Sequence, residues 1–248
     1  MTIRLSILLA AAPLLALAAC GSGGGGNSDA PAAPVAAATP PAGQEWSQVV
    51  NRSPEGGFVM GNPDAPLKLI EYGSRSCPSC GNFGRDGMVP LENDYVKTGK
   101  VSYEFRDFPV HGGPDLGLST LGRCVSESAF FPILEQTYID QNTFLAKLEA
   151  PEAQTLSQQL QGKSPTEIAT GWATYLGYVD FVKQRGVTEQ QAKACLSDQK
   201  NVQAVVDMAQ KGSADGVTGT PSFLLNGKLL ENTVTWEQLE ARLKAAGA

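Results

Sequence analysis

Residues 67–80 read Leu67-Lys68-Leu69-Ile70-Glu71-Tyr72-Gly73-Ser74-Arg75-Ser76-Cys77-Pro78-Ser79-Cys80, and this stretch decides the fold. Leu67 to Tyr72 is a short, mostly apolar run after the turn-forming Asn62-Pro63-Asp64-Ala65-Pro66, so a strand entered from a turn is predicted. From Cys77 to about Lys97 the pattern is helical. Val101, Tyr103 and Phe105 then alternate with Ser102, Glu104 and Arg106, a period-two strand ending near Phe108-Pro109. The unit is strand, helix, strand, with two cysteines where the first strand gives way to the helix.

That position gives Cys77-Pro78-Ser79-Cys80 a physical use. At a helix start, free backbone N–H groups and the positive end of the dipole stabilise a thiolate, which lowers the pKa of the first cysteine. The second lies one turn on, close enough to close a small disulfide. Pro78 suits the first turn because its missing N–H would have been unpaired there anyway. Such a pair can exist as dithiol or as disulfide. A structural bridge and half a zinc site are the competing readings. Zinc needs four ligands, yet neither Cys124 nor Cys195 belongs to a second close pair, and His111 alone cannot complete the shell. A bridge across two residues closes too small a loop to stabilise much.

Outward toward the carboxyl terminus, residues 114–211 read as helical. Ile168, Trp172, Tyr175, Leu176 and Val179 share one face of a helix that starts at Ser164, with Pro165 in its first turn and Glu167 completing a capping box. Thr188 and Gln191 form a similar box before a helix carrying Cys195, and Val202, Val205, Val206 and Ala209 continue the helical period. Ser222 to Leu225 is a strand, Asn226-Gly227 a hairpin turn, and Lys228 to Leu230 the return. Thr235 and Gln238 box a last helix with Trp236, Leu239 and Leu243 on one face. The chain is therefore an α/β frame interrupted by a helical block.

Toward the amino terminus, Arg4 and the apolar run Leu5 to Ala16 read as a secretory leader, residues 1–19. It ends in Leu17-Ala18-Ala19-Cys20-Gly21, which resembles the bacterial lipobox, where the cysteine is acylated and the peptide is cut before it. Acyl chains anchor a protein stably to a membrane. Residues 20–45 are rich in Gly, Ala and Pro and read as a tether spanning about 25–30 Å. Export exposes the thiols to an oxidising compartment. With Cys20 used by lipid, Cys77, Cys80, Cys124 and Cys195 remain, an even set with three possible pairings.

Composition narrows the function classes. Of 248 residues, 42% are hydrophobic and 18% charged, which excludes wholesale disorder. A formal charge of −6 argues against general nucleic-acid binding. One histidine excludes multi-histidine metal sites, and no cofactor or metal is implied.

The segments Gly61-Asn62-Pro63-Asp64-Ala65-Pro66, Glu71-Tyr72, Cys77-Pro78-Ser79-Cys80, Phe105-Arg106-Asp107-Phe108-Pro109 and Gly219-Thr220-Pro221-Ser222-Phe223 resemble, in this order, the DsbA-like branch of the thioredoxin superfamily. The resemblance runs from about residue 55 to the end. It implies a thioredoxin-like fold in two parts, 46–113 and 212–248, around an inserted helical domain, 114–211. Cys77 would be the exposed nucleophile and Cys80 the buried resolving cysteine, supported by Pro78 and Ser79. Pro221 would be a cis-proline facing them, and the Thr220 backbone would pair with an extended substrate. Glu71 matches the family's acidic residue behind the site, a proton relay if it is more than a strand-end carboxylate. Cys124 and Cys195 match cysteines that pair in some relatives, a bridge worth roughly 2–4 kcal/mol.

Two departures matter. The strongest oxidases of the branch have histidine where Ser79 stands, so a less acidic Cys77 and a less oxidising pair are expected. Arg75, where relatives often carry an aromatic residue, is an alternative source of positive potential. His111 is expected to be an ordinary loop residue. The implied activity is thiol–disulfide exchange with exported polypeptides by a protein lipid-anchored to the inner or outer membrane of a bacterial cell envelope, facing the periplasm. An integral-membrane redox partner would be required, and the direction of electron flow is open. The rivals are a binding or assembly lipoprotein with a merely structural Cys77–Cys80 bridge, and a metal chaperone, which the single histidine disfavours.

Overall fold

The computed structural model describes residues 32–248. The leader and Cys20 lie outside the described residues. The first two strands, β1 (Val50–Arg52) and β2 (Phe58–Met60), form an antiparallel hairpin that sequence patterning did not identify. Gly56, at φ +87, supplies the left-handed turn between them. β3 (Leu67–Gly73) and β4 (Val101–Asp107) run parallel, joined by α1 (Pro78–Pro90) and a widened turn over Leu91–Val96. Pro90 lacks the N–H that a regular continuation of α1 would use.

Eight helices separate β4 from the next strand. They are α2 (Gly113–Gly122), α3 (Glu127–Ile139), α4 (Gln141–Glu149), α5 (Pro151–Gln159), α6 (Pro165–Tyr175), α7 (Tyr178–Lys183), α8 (Glu189–Ser197) and α9 (Gln199–Ala214). The chain then returns to the sheet as β5 (Ser222–Leu225) and β6 (Lys228–Leu229) and ends in α10 (Trp236–Ala245). Asn226 and Gly227, at φ +50 and +78, make the tight hairpin. The sheet order is β1-β2-β4-β3-β5-β6, with every pair antiparallel except β3–β4. The fold is thioredoxin-like with a helical insertion.

The boxes at Ser164, Thr188 and Thr235 start α6, α8 and α10, each with reciprocal side-chain bonds. Gly177, at φ +79, ends the apolar stripe of α6, so Val179 falls on α7 rather than on the same helix. The polar residues of β4 are not a solvent face. Ser102, Glu104 and Arg106 are buried in this central strand, and Arg106 pairs with Glu104 at 2.7 Å. A disulfide joins Cys124, just past α2, to Cys195 in α8, with Cα atoms 6.0 Å apart.

The expected tether requires a correction from Ala32 onward. The Ala32 N–H donates to the Ala245 carbonyl (2.9 Å), Val35 to Gly247 (2.8 Å) and Ala38 to Thr98 (3.0 Å). The Trp46 indole in turn donates to the Ala38 carbonyl at 2.8 Å. Such backbone pairing needs no large side chain, which is why composition hid it. Gly247 is essential to the fit, because a Cβ there would collide with the Ala33 carbonyl.

Candidate active site

β3 ends at Gly73, and the loop Ser74–Ser76 delivers the chain to Cys77, the N-cap of α1. Cys77 has φ −75 and ψ 120, and its carbonyl accepts the first helical bond from Gly81 at 3.0 Å. Pro78 occupies the first turn, as its missing N–H allows. Both Cys77 and Cys80 are free thiols. Cys80 is completely buried. Cys77, expected to be exposed, keeps only 8% of its surface, because the segment before β5 covers it. There the Thr220–Pro221 peptide is cis, and the Cys77 thiol donates to the Thr220 carbonyl at 3.3 Å.

The two thiols are strongly unlike. Cys77 is lowered to about 5, foremost by the hydrogen bond from the Cys80 thiol. The Thr220 hydroxyl and the backbone N–H groups of Cys80 and Ser79 add to the lowering against the opposing cost of burial. The Thr220 hydroxyl is itself buried without a hydrogen-bond partner, so it is available to a sulfur at this site. Cys80 is pushed well up, first by burial, then by its bond to Cys77 and the nearby Glu71 charge. Hydrogen bonds therefore replace the charge that a histidine at position 79 would have supplied. Arg75 does not help Cys77. It is completely buried, bonded to Asp107 at 2.9 Å, and lies over the Phe105 and Phe130 rings.

Glu71 is 1% exposed, and the Tyr103 hydroxyl donates to its Oε2 at 2.5 Å. Its Oε1 has no partner. Burial raises its pKa to about 8; the Tyr103 bond opposes this, and the Cys77 charge adds to it. At neutral pH this carboxyl keeps its proton, unlike an ordinary strand-end carboxylate.

Several supporting residues carried no sequence signal. Asp115, in the first turn of α2, is completely buried. It accepts from the hydroxyls of Ser74 (2.8 Å) and Ser76 (2.7 Å), and from the backbone N–H groups of Ser76, Val110 and His111. It thus fastens the loop before Cys77 to the insertion. His111, read as an ordinary loop residue, lies with Nδ1 2.6 Å from Ser76 Oγ while half its side chain remains in solvent. The contacts to Ser74 and Ser76 join residues 35 to 41 positions apart, beyond the reach of local patterns.

The placement of the insertion between β4 and β5, with the cysteines under a cis-proline bend, is that of the DsbA-like thioredoxin-fold proteins. The profile described as Thioredoxin matches residues 53–245, and the chain belongs to that family. It is similar to a Rickettsia bellii protein provisionally named a protein-disulfide oxidoreductase, 27% identical over 179 residues. That match covers 72% of this chain but only 60% of the relative. Disulfide bond formation protein D of Bacillus subtilis is 24% identical over 189 residues, 75% of each chain. Among solved structures, a protein-disulfide isomerase from Novosphingobium aromaticivorans superposes with a TM-score of 0.70 at 27% identity, covering 75% of this chain and 94% of that one. Oxidised BdbD of Bacillus subtilis shares the fold, with a TM-score of 0.57 at 18% identity over 77% of this chain and 92% of its own.

Proposed function

We propose that this protein is a thiol–disulfide oxidoreductase that exchanges disulfides with exported polypeptides through Cys77 and Cys80. The observation that carries the proposal is the asymmetry of the pair: an outer cysteine lowered to about 5 beside a buried one pushed well up. A structural bridge has no use for that difference. An exchange enzyme needs one good leaving group and one that holds its proton.

In the oxidising direction, a substrate thiolate attacks Cys77 Sγ of the Cys77–Cys80 disulfide and expels Cys80 as a thiolate. Cys80 takes up a proton at once, and Glu71, protonated at neutral pH, is the group behind it that can supply one. A second substrate thiolate then attacks the substrate sulfur of the mixed disulfide and expels Cys77, which leaves as a thiolate. The substrate loses two electrons, which the enzyme pair holds. The lowered Cys77 supports this direction. A stable Cys77 thiolate favours the dithiol form of the pair, which is the product of this direction. The Thr220 backbone, beside Cys77, is where an extended substrate strand would be laid.

The proposal extends to the setting. Residues 1–19 act as the leader, and Cys20 carries the lipid that holds the protein to the inner or outer membrane of a bacterial envelope, facing the periplasm. An integral-membrane redox partner reoxidises the pair. The Cys124–Cys195 disulfide fits an oxidising compartment. Trapping tests the activity: Cys80→Ala should accumulate mixed disulfides with envelope polypeptides that a reductant releases and that Cys77→Ser abolishes. No such adducts from Cys80→Ala, on reduced or oxidised client proteins, would overturn it.

A further inference from the structure

The helical insertion does more than cover the sheet. It supplies the polar groups that hold the loop carrying the reactive cysteine. Gln141, the first residue of α4, is 1% exposed and 64 residues from Cys77 in sequence. Its Nε2 donates to the Cys77 carbonyl at 2.9 Å and to the Arg75 carbonyl at 3.1 Å. Both partners are acceptors only, so the amide must present its NH₂ to them, and both hydrogens are used. Gly81 completes the fit, since a Cβ there would collide with the Gln141 amide. From α3, the Tyr138 hydroxyl reaches the Ser74 carbonyl at 3.4 Å.

The bond to Cys77 sits at a sensitive point. Lowering of the Cys77 pKa depends partly on the backbone N–H groups of Ser79 and Cys80 facing its sulfur. That aim is set by the torsions of Cys77 as N-cap and by its carbonyl, which accepts from Gly81 and Gln141 together. A small rotation of this one residue would swing the sulfur off the helix start. Misplacement by about 1 Å can cost on the order of a hundredfold in rate.

We propose that Gln141 is a positioning residue for exchange at Cys77, its amide tying the carbonyl of the reactive cysteine to the insertion and keeping the sulfur over the start of α1. The proposal rests on the thiol–disulfide reading of the Cys77–Cys80 pair. It assigns the insertion a part in setting the reactivity of a cysteine that belongs to the other half of the fold.

The test uses the full chain with Gln141→Met, which keeps the side-chain length and removes both donors. Thiolate absorbance near 240 nm gives the Cys77 titration, and a glutathione titration gives the redox midpoint. The expected result is an upward move of the Cys77 midpoint by about one pH unit, a tenfold fall in its acid dissociation constant, with a more reducing redox midpoint. Phe144→Leu is the control. Phe144 is buried in the same helix against Tyr178 and Phe181, so its loss should lower stability without moving the titration. If Gln141→Met does not fold, Gln141→Leu, which also removes both donors and adds no charge beside Cys77, carries the same comparison, with the same upward move expected. A folded Gln141 variant that titrates within 0.3 unit of wild type, roughly a twofold change in the dissociation constant, would overturn the proposal. Failure of the wild-type protein to exchange with glutathione at all would instead contradict the oxidoreductase reading, whatever the variants do.

Discussion

Tyr103 and Glu71 share a 2.5 Å hydrogen bond across the parallel pair β3–β4, and this is the sole hydrogen bond to the Glu71 side chain among the described residues. A carboxyl so placed holds its proton until the pH approaches about 8. Its pKa is raised above the ordinary value of 4.5, so its contribution to stability is complete below that value and is lost as pH rises through about 8. Glu71→Gln should therefore flatten the decline in stability between these pH values, as chemical denaturation at a series of pH values would register. The same variant should slow release and protonation of Cys80 on the order of tenfold to a hundredfold, measured by acid-quenched single turnovers.

Thr220 tests the hydrogen bonds that lower Cys77. Its hydroxyl is buried without a hydrogen-bond partner, next to the sulfur whose pKa it helps to lower. Thr220→Val should raise the Cys77 titration midpoint above about 5 while changing stability by less than about 1 kcal/mol. Cys80→Ala should raise it further, because the Cys80 thiol is the largest source of the lowering. Both values come from the pH dependence of absorbance near 240 nm.

Arg75 and Asp107 form a buried ion pair at 2.9 Å behind the site. Removing one partner leaves the other charge with poorer company, since Arg123 approaches Asp107 only to 3.9 Å. Arg75→Leu is expected to cost about 3–5 kcal/mol in urea unfolding. In the fraction that remains folded, the Cys77 titration should stay where it is.

The disulfide between Cys124 and Cys195 spans a sequence separation of 71 within the helical insertion. Replacing both residues by serine should lower stability by roughly 2–4 kcal/mol and leave Cys77 and Cys80 able to exchange. Loss of exchange in the folded double variant would show that the bridge takes part in the chemistry.

Much of this architecture is legible in the chain because local physics writes it there. The β3–α1–β4 unit follows from periodicity, three helix starts from capping boxes, the β5–β6 turn from Asn226-Gly227, and the reactive pair from two cysteines at a strand–helix junction. What stayed hidden depends on long-range contact. The β1–β2 hairpin is three residues to a strand, too short for a period to register. Docking of Ala32 and Val35 uses backbone groups alone. Asp115 and Gln141 look like any polar residues near a helix start, and only the folded insertion brings them to the loop before Cys77. Arg75 shows the converse error: its charge suggested a partner for the thiolate, whereas the fold turns it inward to Asp107.

The most direct measurement is the redox midpoint of the Cys77–Cys80 pair in glutathione buffers, followed on the full protein by thiol trapping. A working exchange pair with Cys77 lowered to about 5 should titrate between the potentials of thioredoxin and DsbA, about −270 and −120 mV. A midpoint below about −300 mV, the range of structural disulfides, would contradict the proposed activity.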